Sequence, residues 1–333
     1  MTQLTAVIPV FNEAESLRPL HGELLAVAER ERYDLRIVFV DDGSTDESWQ
    51  RIEELAATDE RVLGIRFRRN FGKAAALSAG FDAAEAPLIV TLDADLQDDP
   101  AEIPCFLAKM DQGFDVVSGW KQTRHDPWHK VIPSRIFNWL VSRMTGVKLH
   151  DHNCGLKCYR RDVILEVRLY GELHRFVPVL AAARGFRVAE VIVNHRPRKF
   201  GTSKYGVARF AKGLLDLLTV KFITGFGHRP QHVLGVIGLI AFLFGFFGLS
   251  YLAGYWVVSR MSESIADIHL HQKALLYYSL GALLVGAQFV SMGLLGEMIT
   301  AFLARDVDTY SIRETTTHEH SSQHRSSPAS RRT

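Results

Sequence analysis

Two long apolar runs near the C-terminus limit what this chain can fold into more than any other feature. Val233–Val258 contains no charged residue, and Ala274–Ala304 contains only Glu297, close to its far end. A helix needs roughly 20 mostly apolar residues to cross a bilayer, so both runs predict membrane spans. The connector Ser259–Lys273 is short, which places both outer ends of the pair on one side. Lys221 and Arg229 precede the first run and Arg305 and Arg313 follow the second, against Arg260 and Lys273 in the connector. This bias predicts that the polar half faces the cytoplasm. The sequence opens directly on Leu4-Thr5-Ala6-Val7-Ile8-Pro9, so no signal peptide is expected.

Most of the charge precedes Gln231, and the formal net charge of the 333 residues is only +2. That balance argues against a nucleic-acid binder, which carries a basic excess. Cys105, Cys154 and Cys158 are an odd number with no disulfide framework, in keeping with a reducing compartment.

Short apolar runs alternate with helical spacing through the first half. Leu4–Val10, Leu35–Val40, Val62–Phe67, Leu88–Leu92 and Val116–Ser118 read as buried strands. Glu13–Arg32, Asp46–Thr58, Gly72–Ala84 and Pro100–Gln112 carry helical spacing between them. The alternation predicts an α/β fold with a parallel sheet covered on both faces. Further helices are expected at Pro133–Thr145 and Phe176–Arg184, and a strand at Val188–Val193. From Lys204 to Phe226, basic residues interleave with Phe, Leu and Val, a pattern for helices lying in the headgroup region; a core-facing helix is the alternative. The expected organisation is a soluble domain over 1–203, interfacial helices over 204–230, two spans within 231–304 and a polar, disordered tail over 305–333.

Ligands of open α/β sheets bind beyond the carboxyl ends of the strands. That rule collects Phe11-Asn12-Glu13, Asp41-Asp42-Gly43-Ser44 and Asp93-Ala94-Asp95 on one rim. In extended backbone, residues two apart project to the same side, so Asp93 and Asp95 can converge on one hard cation, with Gln97 nearby. Mg²⁺ or Mn²⁺ at such a site suits a phosphorylated donor. Asp46 is a candidate helix N-cap, and Lys73 with the helix start behind it could meet phosphate. Arg196–Lys204 and the looser set Lys121, Arg124, Lys130 and Arg135 are basic clusters suited to a lipid phosphate.

Five motifs then resemble family 2 glycosyltransferases in order and spacing: Val7–Glu13, Val40–Asp46, Asn70–Lys73, Asp93–Gln97 and Arg198–Tyr205. Within that family the chain is similar to the polyprenyl-phosphate glycosyltransferases, the group of dolichyl-phosphate mannose synthase and the bactoprenol glucosyltransferases. The resemblance implies a GT-A (Rossmann-like) nucleotide-sugar-binding domain. It also implies inverting transfer of a hexose from a UDP- or GDP-sugar to a membrane polyprenyl phosphate, for cell-envelope glycan or lipid modification.

The same resemblance assigns residues. Pro9, Phe11, Glu13, Asp41, Lys73, Asp93 and Ala94 would contact the donor, and Asp93, Asp95 and Gln97 would hold Mg²⁺ or Mn²⁺. Lys121, Arg135, Arg198, Ser203 and Lys204 would face the acceptor phosphate, with Asp95, Asp151, Arg198 and Lys204 at the reaction centre. Implied partners are the nucleotide sugar, undecaprenyl or dolichyl phosphate and the bilayer; self-association stays open. One departure stands out. Asn153-Cys154-Gly155-Leu156-Lys157 lacks acidic residues that many relatives carry, and only Glu172 remains of another acidic pair. A lipid phosphate tolerates this, being anionic without a general base. Two other readings remain. A processive polysaccharide synthase would need a Gln-x-x-Arg-Trp segment, which is absent. A non-catalytic nucleotide-sugar sensor would not need the Asp93/Asp95/Gln97 set.

Overall fold

The computed structural model describes residues 1–122, 128–167, 173–194, 196, 213, 215–217, 219–221, 230–261 and 269–303. Its centre is β1 (Thr2–Val10), flanked by β2 (Tyr33–Asp41) and β4 (Leu88–Thr91). With β3 (Val62–Arg66), β5 (Val116–Trp120), β6 (Lys157–Arg160) and β7 (Val188–Ile192) they form a seven-stranded sheet in the order β3-β2-β1-β4-β6-β5-β7.

Alternation along β1 divides the core in two. Leu4, Ala6 and Ile8 face α1 (Ala14–Glu31), α2 (Ser48–Thr58) and α4 (Ile103–Asp111), where Leu17, Leu20, Leu24, Ile52 and Phe106 close one layer. Val7 faces the other way, toward Leu77 and Phe81 of α3 (Lys73–Asp82), Val163 of α6 (Arg161–Glu166), and Val177 and Ala181 of α7 (Val177–Ala183). Covering on both faces is why β1 reads as an almost unbroken apolar run.

The sheet is not wholly parallel. β6, which periodicity missed, runs antiparallel between β4 and β5, pairing Thr91 with Lys157 and Val117 with Cys158. Four residues that begin with Lys and end with Arg do not resemble a buried strand, yet Cys158 and Tyr159 are core residues. The consequence is local: the start of an antiparallel β6 lies beside the end of β4, so 153–157 arrives at the rim.

α5 (Trp128–Thr145) starts earlier than predicted and carries Pro133 inside it. Its Phe137 and Val141 pack with Leu173, Phe176 and Val179, and with Leu217 and Val220. Within the predicted interfacial stretch, the described residues are helical, and Leu217 and Val220 are buried against α5.

α8 (Pro230–Met261) and α9 (Ala274–Leu303) form an antiparallel hairpin. Glycines let the two backbones touch: a Cβ on Gly238 would lie 2.8 Å from the Gly286 carbonyl oxygen. Only 11% of the most apolar window of each helix is buried, which suits a lipid-facing pair rather than a soluble core. Tyr251, Tyr255 and Trp256 cluster toward the connector end of α8, and Tyr277 and Tyr278 begin α9, as in an interfacial aromatic belt. At the opposite end the Gln231 N–H donates to Glu297 (3.4 Å), placing that carboxylate at the positive end of α8.

Candidate active site

β1 to β4 run parallel, so their following loops share one rim, and side chains stitch those loops together. The Asn12 N–H donates to Ser44 Oγ (2.9 Å), the Glu13 N–H to Ser48 Oγ (2.9 Å), and the Thr45 N–H to Asn12 Oδ1 (2.8 Å). Asp46 accepts from Ser48 N (2.9 Å) and from Ala14 N at the start of α1 (3.3 Å), but the N-cap position of α2 is Glu47, one residue later than expected. Gly43, at φ +71°, is needed because a Cβ there would lie 2.7 Å from Asn70 N.

Between these loops opens a cleft of about 750 Å³, lined by Phe11, Gly43–Thr45 and Arg66–Asn70. Of the predicted donor residues, only Phe11 lines it directly. Asp41 lies fully buried beneath, accepting from Ser44 N (3.0 Å), with the Arg66 guanidinium 3.5 Å away. Pro9 stays within β1, and Glu13 occupies the N-cap position of α1 without a side-chain capping bond. Sequence reading missed Arg66, Arg68 and Arg69, although three arginines at the end of a predicted strand on the rim were a usable signal. The Arg69 guanidinium sits 4.7 Å from the Phe71 ring centroid and that of Arg66 5.5 Å from Trp49. Arginines braced on aromatic faces beside Phe11 and Phe67 offer stacking surface and bidentate phosphate contacts.

Ahead of α3, the N–H groups of Phe71 and Gly72 donate to Asp42 (2.7 and 3.0 Å), so a carboxylate holds the loop that leads into the helix. Lys73 begins the helix and forms an ion pair with Asp93.

Asp93 and Asp95 do not lie in the expected extended backbone. β4 ends at Thr91, the chain turns at Ala94–Asp95, and Leu96 adopts φ +61°. Asp93 is instead set by long-range contacts. Burial raises its carboxyl pKa, but the Lys73 ammonium, backed by Lys121 and Lys157, outweighs that and holds it at about 2. It is therefore ionised at neutral pH, and 35% of its side chain stays open. Asp95 is buried and accepts from Gln97 N (3.2 Å). Ala94 points into the core, so only its backbone could meet a donor. His174 is buried and kept neutral by that burial, with Lys73 adding to the effect. Among the described residues no group of three or more His, Cys, Asp or Glu gathers as a ready-made metal cage. Two carboxylates and an amide oxygen nonetheless fit Mg²⁺ or Mn²⁺, which complete their shells with phosphate oxygens and water.

Of the expected acceptor set, Lys121 and Arg135 fall within the described residues. Lys121 is half-buried, 2.8 Å from the buried Asp98; burial works against its charge, but the carboxylate more than restores it. Arg135 lies on the exposed face of α5. Asp151 is buried and accepts from Asn153 N (3.0 Å). Arg196 is clamped by Glu23 (2.7 Å) and Asp99 (2.6 Å), while its N–H donates to the Gln97 carbonyl (3.0 Å). Arg198, Ser203 and Lys204, with Arg124, Glu172, the Lys130 side chain and the 305–333 tail, lie outside the described residues. Because Lys121 balances a buried carboxylate, Lys121→Met is expected to cost about 3 kcal/mol of stability. Denaturant melts check this: an unchanged midpoint together with a raised lipid KM would return Lys121 to the acceptor.

The sequence matches Glycosyl transferase family 2 over residues 5–168. It is 36% identical over 309 residues to dodecaprenyl-phosphate galacturonate synthase of Rhizobium johnstonii, covering 91% of this chain and 89% of that protein. It is 38% identical over 298 residues to undecaprenyl-phosphate 4-deoxy-4-formamido-L-arabinose transferase of an Enterobacter strain, covering 89% and 88%. Among solved structures, glucosyl-3-phosphoglycerate synthase from Mycobacterium tuberculosis, complexed with Mn²⁺, UDP and phosphoglyceric acid, superposes with a TM-score of 0.53 at 12% identity. That match covers 67% of this chain and 78% of the other, and it establishes a common GT-A fold.

Proposed function

Because this chain belongs to glycosyl transferase family 2, we propose that it moves a hexose-type sugar from a nucleotide donor to a polyprenyl phosphate at the cytoplasmic face of the inner membrane. The observation that carries this reading is similarity over 91% and 89% of this chain to two polyprenyl-phosphate sugar transferases. The site supports it: an arginine-rich cleft for a nucleoside diphosphate lies along the same rim as an ionised Asp93. The proposed organisation keeps 1–203 as the catalytic part and 231–304 as the spans.

In this mechanism Phe11, Phe67 and the arginines of the cleft bind the nucleotide, and Lys73 holds Asp93 ionised and in place. An oxygen of the lipid phosphate attacks the anomeric carbon from the face opposite the diphosphate. The new C–O bond forms as the bond to the diphosphate breaks, configuration inverts, and the nucleoside diphosphate leaves. The attacking oxygen is already anionic, so no side chain has to remove a proton. Arg198, Ser203 and Lys204 offset repulsion between two anionic reactants. A divalent cation held by Asp93, Asp95 and Gln97 would neutralise charge on the departing diphosphate.

The test is incubation of the purified protein with undecaprenyl phosphate and a panel of radiolabelled UDP- and GDP-sugars. Label should pass into the organic phase, stop doing so in EDTA, and resume on adding Mg²⁺ or Mn²⁺. Turnover that survives exhaustive chelation, or a product that stays water-soluble, overturns the proposal.

A further inference from the structure

The outer face of α5 carries an apolar stripe that nothing among the described residues covers. Ile132 and Ile136 are 51% and 53% exposed and Trp139 is 65% exposed. Their spacing, continued by the exposed Arg143, is i, i+4, i+7 and i+11, one stripe of a helix. Arg135 lies at its edge. The opposite face holds Phe137 and Val141 in the protein interior, so the helix cannot rotate to hide the stripe.

We propose that this face of α5 lies in the headgroup region of the bilayer, with Ile132, Ile136 and Trp139 at the acyl boundary and Arg135 and Arg143 on anionic phospholipids. Three observations favour lipid over protein. The helix carries Lys130, Arg135 and Arg143 and no Asp or Glu, which complements an anionic surface. A two-fold contact with a second copy would instead set these cations against themselves. The helix is also continuous with the membrane part. Phe137 meets the backbone of the 213–221 segment, where a Cβ on Gly213 would lie 3.2 Å from its ring. Lys221 donates to the Met144 carbonyl at the last turn of α5 (2.7 Å), shortly before α8 begins at Pro230. Tryptophan is the side chain that favours this interface. The proposal goes beyond the transferase reading and rests only on α8 and α9 spanning the membrane.

The test uses the full chain in phosphatidylcholine nanodiscs with and without phosphatidylglycerol. A nitroxide is placed by Ile136→Cys in a Cys105→Ser background. Cys154 and Cys158 are buried, with thiols that burial pushes up to about 12, and stay unlabelled. Ala56→Cys, on an exposed turn of α2, serves as the aqueous control. Collisions with O₂ are expected to exceed those with a water-soluble nickel chelate at position 136, and the order to reverse at position 56. Adding Arg135→Glu and Arg143→Glu should shift position 136 toward the control in the anionic discs. The same accessibility at both positions overturns the proposal, and so does spin–spin broadening at 136, which would mark a second copy instead. No arm reads glycosyl transfer, so failure here leaves the transferase reading standing, and the reverse also holds.

Discussion

Asp95→Asn is expected to lower turnover by about 10²–10³-fold while the protein stays folded. Asparagine has nearly the volume of aspartate, and its Oδ1 can still accept from the Gln97 N–H, which lies 3.2 Å from Asp95 Oδ1. The turn that follows Asp93 therefore keeps its hydrogen bond, and a buried site keeps its packing. What disappears is one negative charge at the place where the proposed mechanism neutralises a departing diphosphate. The loss should fall on kcat, because the cleft residues that hold the nucleotide lie on the loops after β1, β2 and β3. Radiolabel transfer and thermal melting, measured on the same preparation, check both halves. A loss under about tenfold at an unchanged melting point would remove Asp95 from the reaction centre.

Gly155→Val is expected to reduce kcat by about 10²-fold through a residue that has no functional group. A Cβ at position 155 would lie 2.7 Å from Asp93 Cγ and Oδ2 and 2.9 Å from Oδ1. No such contact is tolerated, so one partner must move. The Gly155 backbone is held because its carbonyl accepts from Thr91 Oγ1 (2.8 Å). The Asp93 side chain gives way instead and leaves its position against Lys73. A shift of about 1 Å at such a carboxylate is enough to cost two orders of magnitude. Nucleotide affinity should hold within about threefold, since a displaced Asp93 changes the leaving-group end and not the aromatic cleft. Calorimetric titration with UDP or GDP, beside steady-state assays, separates the two effects. Equal turnover in the variant and the parent would show that Asp93 needs no fixed position.

Gly155 stands in the segment whose missing acidic residues were the clearest departure from the family pattern. In sequence, Asn153–Lys157 read as a departure that a lipid phosphate acceptor tolerates. In the fold it is the approach to β6, and it fills the space beside Asp93 with a glycine and a buried lysine whose charge burial disfavours. Lys121 shows the same gap in the other direction. A basic residue after a strand suggested a phosphate contact, but Asp98, a buried carboxylate far from it in sequence, claims it.

Residue order alone determined the two long apolar helices α8 and α9, because each run is long and apolar enough to cross a bilayer as one helix. It also determined β1 to β5, β7 and the rim, because short apolar runs separated by helical spacing mark the strands of a parallel sheet, and parallel strands end together. Which charge meets which was left to the tertiary structure. Asp93 with Lys73, Asp42 with the start of α3, and Arg196 with Glu23 and Asp99 are contacts made across the sheet edge and between distant loops. Composition and periodicity describe one segment at a time. An ion pair depends on two segments and on the strand order between them, and here that order includes an antiparallel strand too short and too polar at its ends to announce itself.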